Sequence, residues 1–238
     1  MLDKHRGILQ IKKIGSLSKS IFISRELEID GDLMQALLAH HFEITAFSLL
    51  DFNAIPFDHL PVCDWIFFYS KKAVAFFFEQ KPAISFPVKY AAFGPGTAEK
   101  IRQYGSSVDF VGNGKATETA PLFIDLAKKQ KVLFPRAKQS QQSIQKLLPA
   151  TIKALDLVIY DNHIRTEFAI PEVDFLILTS PMNVQAYFNR YPYSPNQTII
   201  AIGQTTAKAL AKLGINKVVI PPSPSEKAIW VLLKKLIS

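Results

Sequence analysis

The sequence predicts an α/β protein made of two similar small doubly wound parallel-sheet domains, and three observations carry that prediction. First, apolar runs of strand length alternate with amphipathic segments of helix length, the pattern of βαβ units whose sheet is covered on both faces. Second, the chain is written twice. Asp64-Trp-Ile-Phe-Phe-Tyr-Ser70 recurs as Asp174-Phe-Leu-Ile-Leu-Thr-Ser180, and Ala92-Phe-Gly-Pro-Gly-Thr-Ala98 recurs as Ala201-Ile-Gly-Gln-Thr-Thr-Ala207. Third, a fainter pair, Ile21-Phe-Ile-Ser-Arg25 and Val132-Leu-Phe-Pro-Arg136, precedes them in the same order. The copies lie about 110 residues apart, far beyond a solenoid repeat, so each is a domain-sized unit.

Taken in order, strands are expected at Ser20 to Ser24, Ile44 to Phe52, Trp65 to Ser70, Tyr90 to Gly94 and Val108 to Gly112 in the first half. The second half repeats them at Val132 to Arg136, Leu155 to Asn162, Phe175 to Ser180, Ile199 to Gly203 and Val218 to Pro221. Helices fill most of the gaps, with apolar faces at Leu33, Leu37 and Leu38, at Val74, Phe77 and Phe78, and at Val184, Tyr187 and Phe188. Thr97 to Gly105 and Thr206 to Gly214 read as matching helices stopped by glycine. The last helix carries capping-box spacing in Ser223-Pro-Ser-Glu226, then Ile229, Leu232, Leu233 and Leu236 on one side.

Two strands break the rhythm. Ile44 to Phe52 and Leu155 to Asn162 are followed by the polar or proline-containing segments Asn53 to Pro61 and His163 to Pro171 rather than by helices. Paired as a two-stranded hinge, these connectors would leave the middle of the chain as one domain and both ends as the other. A boundary near Gln130 with two tandem domains is the simpler alternative, and periodicity does not choose between them.

The composition narrows the partners. With 28 basic and 20 acidic residues the net charge is +8, which suits an anionic partner: nucleic acid, an acidic membrane or a polycarboxylate. The excess is uneven, since Leu126 to Leu155 holds seven Lys or Arg and no Asp or Glu. Its plain reading is a solvated helix face, and it lacks the aromatic interleaving of a nucleic-acid surface. The single cysteine, Cys63, excludes an internal disulfide and reads as a small buried hydrophobe in a reducing compartment. Charges in Met1 to Leu9 argue against a signal peptide, and no apolar run has membrane-spanning length, so a cytoplasmic location is expected. His5, His40, His41, His59 and His163 have no metal-ligand spacing, and no metal is expected.

Chemistry is suggested where strands end and helices begin. Gly94-Pro-Gly-Thr97 and Gly203-Gln-Thr-Thr206, like Ser70-Lys-Lys-Ala73 and Ser180-Pro-Met-Asn183, would point free backbone N–H groups, hydroxyls and the positive helix end at an anion. Each such start contributes only about 0.3 to 1 kcal/mol per charge, so the sum matters for a ligand with several anionic groups. Ser and Thr there are equally ordinary N-caps; duplication of the whole pattern is what favours a functional role. Neither glycine segment has Walker or dinucleotide spacing, and no local frame for paired carboxylates or a Ser-His-Asp set is present.

At these residues the chain resembles the uroporphyrinogen-III synthase family. Phe175-Leu-Ile-Leu-Thr-Ser-Pro-Met-Asn-Val-Gln-Ala-Tyr-Phe188, Ile200-Ala-Ile-Gly-Gln-Thr-Thr-Ala-Lys-Ala-Leu210 and Pro221-Pro-Ser-Pro-Ser-Glu226 are similar to its TSP-x-x-V, AIGPTTA-x-AL and terminal helix-start motifs. Ser70 to Val74, Phe93 to Ala98, Val132 to Arg136 and Val158 to Tyr160 agree more weakly, in the right order. The resemblance implies the hinged division: residues 1–47 and 165–238 as a discontinuous domain, 50–160 as an inserted domain, and hinge strands at 43–52 and 155–164. It implies cofactor-free cyclisation of hydroxymethylbilane, a linear tetrapyrrole with eight carboxylates, to uroporphyrinogen III with inversion of ring D and loss of water.

The resemblance also nominates residues. Tyr160 matches the family's tyrosine on the linker strand, a candidate acid or hydrogen-bond donor facing the cleft. Thr206, with Thr205, Gly203 and Ser180, matches substrate-binding positions. Ser70, Lys71, Gly94 and Thr97 are their counterparts in the other copy, and Arg25 and Arg136 are candidates for substrate carboxylates or for ion pairs. Gln204 stands where the family has Pro, and Tyr69 where a Thr often precedes the first Ser. A monomer is expected. The competing reading is a two-lobed protein that closes on an anionic ligand without chemistry.

Overall fold

The computed structural model describes residues 2–3, 8–11 and 18–237; most of Met1 to Leu9, including His5, lies outside them. The chain divides into two compact units, Met1–Asp51 with His163–Ser238, and Phe52–Asn162.

Unit 1 is built on β1 (Leu2–Asp3), β2 (Ile8–Ile11), β3 (Ser20–Ile23), β4 (Glu43–Ala46), β11 (Phe175–Leu178), β12 (Thr198–Ala201) and β13 (Val218–Val219), in the sheet order β1-β2-β4-β3-β11-β12-β13. The last five run parallel, and β1 and β2 add an antiparallel edge that the sequence pattern did not announce. Unit 2 contains β5 (Leu50–Ala54), β6 (Trp65–Phe68), β7 (Lys89–Ala92), β8 (Phe110–Val111), β9 (Lys131–Ala137) and β10 (Lys153–Ile164), ordered β5-β10-β9-β6-β7-β8. From β10 to β8 its pairings are parallel.

The two orders superimpose: β4-β3-β11-β12-β13 answers β10-β9-β6-β7-β8. Helices α2 (Lys71–Glu79), α3 (Pro95–Gln103) and α4 (Ala116–Ala127) follow β6, β7 and β8, as α5 (Pro181–Phe188), α6 (Gln204–Ala211) and α7 (Glu226–Ile237) follow β11, β12 and β13. Each unit therefore joins the first part of one copy to the second part of the other. The repeated aspartates staple this exchange. The Asp174 carboxylate accepts from Ser20 N–H (2.7 Å) and Oγ (2.9 Å), and Asp64 accepts from Lys131 N–H at 2.8 Å, each reaching a strand of the other copy.

Buried strands read as apolar on both faces because helices cover both. In unit 1, Ile21, Ile23 and Ile177 pack with Leu33, Leu37, Ile229 and Leu233 of α1 (Asp32–Ala39) and α7, while Phe22, Leu176 and Leu178 pack with Val184, Tyr187 and Leu210. In unit 2, Ile66 and Phe68 meet Val74, Phe77 and Ile101, and Trp65, Phe67 and Phe134 meet Phe123 of α4. Phe67, Phe68, Phe77, Phe123 and Phe134 are fully enclosed, each contributing about 2 to 3 kcal/mol by removal from water. Gly105 (φ 80°) and Gly214 (φ 78°) end α3 and α6 in the left-handed conformation that favours glycine.

Several elements differ from the sequence reading. The run Ile44 to Phe52 is two strands, because β4 pairs with β3 whereas β5 lies beside β10, and Phe47, Ser48 and Leu49 turn the chain between partners. Ser48 Oγ accepts Leu50 N–H at 3.1 Å in that turn. Its counterpart β10 is unbroken. β8 and β13 are two-residue strands, shorter than the expected runs Val108 to Gly112 and Val218 to Pro221. Ser225, not Ser223, caps α7 by accepting Ala228 N–H at 3.2 Å. The basic stretch Leu126 to Leu155 is no single helix face; it runs from α4 through β9 and a 3-10 turn, Gln145–Leu147, into β10.

Candidate active site

A parallel sheet delivers every strand end, and every following helix start, to one edge. In unit 2, β6 and β7 are neighbours, so the starts of α2 and α3 lie side by side. Ser70 caps α2, its Oγ accepting Ala73 N–H at 3.1 Å. Gly94 caps α3 through its carbonyl, which accepts Thr97 and Ala98 N–H at 3.1 Å, and Pro95 occupies the first helical position, where no donor is lost. Lys71 spans the two starts: a Cβ added at Gly96 would lie 3.1 Å from Lys71 Cε. Its ammonium is thus carried by a stem lying over the α3 backbone.

Unit 1 repeats the arrangement on the neighbours β11 and β12. Ser180 caps α5, accepting Asn183 N–H at 3.1 Å and Asn183 Nδ2 at 3.0 Å. Gly203 caps α6, its carbonyl accepting Thr206 N–H at 3.1 Å and Ala207 N–H at 3.0 Å. Thr97 and Thr206 hold the same third helical position and are buried, at 7% and 2% exposure. Thr205, like Gly96, is exposed at the second.

Tyr160 is nearly buried on β10, stacked on Phe76 with ring centroids 4.8 Å apart and tilted against Phe52 at 6.4 Å. Its hydroxyl and the Ser70 side chain are near neighbours, so one candidate acid and one candidate helix cap meet. Burial pushes its pKa above the ordinary tyrosine value, with the nearby Ser70 side chain opposing. The phenol is therefore a donor at neutral pH.

The two arginines have different surroundings. Arg136 makes a bidentate pair with Asp156, Nε to Oδ1 at 2.7 Å and Nη2 to Oδ2 at 2.9 Å, and donates Nη1 to the Ala137 carbonyl. Asp156 also accepts from Gln142 and Gln145. The ion-pair alternative is what this arginine adopts. Among the described residues Arg25 has one longer contact, Nη2 to Glu226 Oε1 at 3.3 Å. Burial holds its pKa below the usual arginine value, against the pull of Glu226.

Sequence reasoning gave no role to the residues that set these caps in place. Thr179, just before Ser180, donates Oγ1–H to the Ser24 carbonyl at 2.9 Å and its N–H to Ser24 Oγ at 2.9 Å. Tyr69, just before Ser70, accepts Ile144 and Gln145 N–H at 3.2 Å each. Each links a helix start to the chain beyond the adjacent strand. Asn183, at the place of Ala73, also reaches the Ser24 carbonyl at 3.2 Å. Pro181 and Met182 differ from Lys71 and Lys72 just as Asn183 differs from Ala73, so the repeat carries no distinct signal of this contact. Cys63 is buried, its thiol pushed up to about 11 chiefly by burial. Among the described residues no group of three His, Cys, Asp or Glu is arranged to hold a metal, and no helix is long and apolar enough to cross a membrane.

Comparison with known proteins addresses this duplicated edge. The family model for uroporphyrinogen-III synthase HemD matches residues 31–230. Among solved structures, uroporphyrinogen-III synthetase from Helicobacter pylori aligns with TM-score 0.69 at 22% identity, covering 92% of this chain and all of that one. A mutant uroporphyrinogen III synthase from Thermus thermophilus aligns with TM-score 0.56 at 15% identity, over 92% and 99% of the two chains. At these identities the structural likeness speaks for the fold. Comparison with curated protein sequences gives no match. The sequence match over most of its length places the chain in the uroporphyrinogen-III synthase family, enzymes of tetrapyrrole biosynthesis.

Proposed function

We propose that this protein is a hydro-lyase that closes hydroxymethylbilane into uroporphyrinogen III, acting as a monomer in the cytoplasm. The observation that carries the reading is the paired helix start on neighbouring parallel strands, present in both units of a chain of this family. The substrate bears eight carboxylates, and several weak anion sites add up only for a ligand of that kind. The net charge of +8 acts in the same direction.

The reaction needs positioning more than reactive side chains. The hydroxymethyl oxygen of ring A leaves as water, giving an azafulvene. The substituted carbon of ring D attacks the exposed methylene and forms a spiro intermediate. Breaking the original bond to ring D releases a second azafulvene, which recloses at the free α-carbon of the inverted ring with loss of its proton. The pyrrole nitrogens supply and recover the electron pair, so no cofactor is required.

In this reading Tyr160 hydrogen-bonds the departing oxygen, a term of roughly a hundredfold for a positioned donor. Its elevated pKa keeps the proton in place at neutral pH. Ser70, Lys71, Gly94 and Thr97 in one unit, and Ser180, Gly203, Thr205 and Thr206 in the other, receive carboxylates at the four helix starts. Arg25 is the arginine assigned to a carboxylate first, since the donors of Arg136 are committed to Asp156.

The test is to add purified protein to freshly generated hydroxymethylbilane, oxidise the products and separate the isomers. Dominant uroporphyrin III supports the synthase reading. Only the spontaneously formed type I isomer, from folded protein, favours a receptor that binds an anionic tetrapyrrole without turning it over.

A further inference from the structure

We propose that Glu226 is a displaceable counter-ion: it holds Arg25 in the free protein and yields it to a substrate carboxylate, so that Glu226 sets the affinity of the unit 1 edge for its anionic ligand. The inference rests on Arg25 being a substrate-binding residue, as assigned above.

The argument comes from comparing the two copies. Arg25 lies two residues beyond Ile23, which pairs with Ala46 across the sheet; Arg136 lies two residues beyond Phe134, which pairs with Asp156. The duplicated position that supplies a carboxylate in unit 2 supplies a methyl group in unit 1. Arg136 is accordingly saturated, with both oxygens of Asp156 on its fork at 2.7 and 2.9 Å. Arg25 instead borrows a carboxylate from the first residue of α7, through one oxygen at 3.3 Å, and its Nε is buried with no hydrogen-bond partner among the described residues.

A guanidinium in that condition has unmet demand. A carboxylate gains most from arginine by a bidentate pair at about 2.7 to 2.9 Å, and the single contact to Glu226 falls short of it. The pair is also open to exchange: the side chains of Arg25 and Glu226 are 30% and 36% exposed. Glu226 does not lose all support when displaced. Its Oε2 lies beside Gly31, the N-cap of α1, where a Cβ on Gly31 would be 3.5 Å away; a helix start favours a carboxylate. Arg25 thus keeps a neutralising neighbour in the free protein without being locked as Arg136 is.

The experiment is a double-mutant cycle with Glu226→Gln, Arg25→Ala and the double variant, each checked by circular dichroism and melting. Binding of uroporphyrin III, an octacarboxylate, is followed by fluorescence quenching, and KM for hydroxymethylbilane is measured beside it. Glu226→Gln removes a competitor of a partly exposed pair, so Kd and KM fall, by roughly two- to fivefold. Arg25→Ala raises both by roughly tenfold or more, the loss of a charged hydrogen-bond donor. In the Arg25→Ala background the gain from Glu226→Gln disappears.

A structural salt bridge predicts the reverse for Glu226→Gln: a lower melting temperature with binding unchanged or weaker. That result, an equal gain with and without Arg25, or no uroporphyrin III binding by any form overturns the proposal. Wild-type protein that binds uroporphyrin III but yields only the type I isomer would instead remove the synthase reading, and the binding cycle would still decide the role of Glu226.

Discussion

Replacing Tyr69 by Phe should unfasten the chain segment that follows β9 while leaving the aromatic packing intact. The ring sits among Phe67, Phe93 and Phe134, with centroids 5.5 to 6.0 Å away, and Phe keeps all of these contacts. What is lost is the hydroxyl, which accepts Ile144 and Gln145 N–H at 3.2 Å each and donates to Gln145 Oε1 at 3.3 Å. Burial pushes this phenol up to about 12, so the proton it donates is present throughout the working range. At about 1 kcal/mol net per hydrogen bond, loss of the two backbone bonds costs about 2 kcal/mol, or roughly thirtyfold in the local opening equilibrium. Amide hydrogen exchange should show that loss at Ile144 and Gln145, while the α5 and α6 amides of unit 1 keep wild-type protection. Unchanged exchange at Ile144 and Gln145 would refute the reasoning and assign the segment to the Arg136–Asp156 pair and its glutamine partners.

Three further outcomes are expected. Tyr160→Phe should lower hydroxymethylbilane turnover by roughly tenfold to a hundredfold with the melting curve preserved; wild-type turnover would take the phenol out of the chemistry. Thr206→Val keeps the shape of a buried residue and removes its hydroxyl, so KM should rise severalfold, about 1 kcal/mol, and unchanged kinetics would leave Thr206 a packing residue at a helix start. Acid should loosen unit 2 through Asp156, whose pKa is held below the usual carboxylate value by its hydrogen bonds from Arg136. A depressed folded pKa stabilises above the unfolded value near 3.9 and loses that contribution as pH falls through the folded value. The contribution is small because Asp156 is 43% exposed, and Asp156→Asn should flatten the urea-midpoint profile below about pH 4; an unaltered profile would contradict it.

Much of the fold was legible because its causes are local. Strand and helix alternate in the apolar periodicity, and the glycines ending α3 and α6 are visible as Gly105 and Gly214. Helix starts were also legible, since Ser70 and Ser180 cap by contacts three residues away. The shift from Ser223 to Ser225 shows the limit of even a local signal: two serines compete, and backbone geometry selects the one next to Glu226. The break within Ile44 to Phe52 was not legible, because it follows from which strand each half lies against.

Candidate site residues divide in the same way. That Arg25 and Arg136 occupy matching places is written in the repeat, but whether each has a carboxylate at hand depends on register across the sheet. Asp156 stands 20 residues from its arginine and Glu226 stands 201. Tyr69 looked like a departure from a family pattern, and only the position of Ile144 and Gln145 makes its hydroxyl intelligible.

By itself, the sequence determined that the chain carries two copies of one α/β arrangement, with helix starts repeated at corresponding strand ends, since periodicity and caps are set by neighbours along the chain. Periodicity and caps do not say which copy lends which half to which unit; the family resemblance implied an exchange, and strand pairing is what physically decides it. The aspartate that begins each repeated motif reads as a polar residue before a strand, whether its partner is 67 residues ahead, as for Asp64 and Lys131, or 154 behind, as for Asp174 and Ser20. Hydrogen bonds of that span leave no periodicity in the sequence.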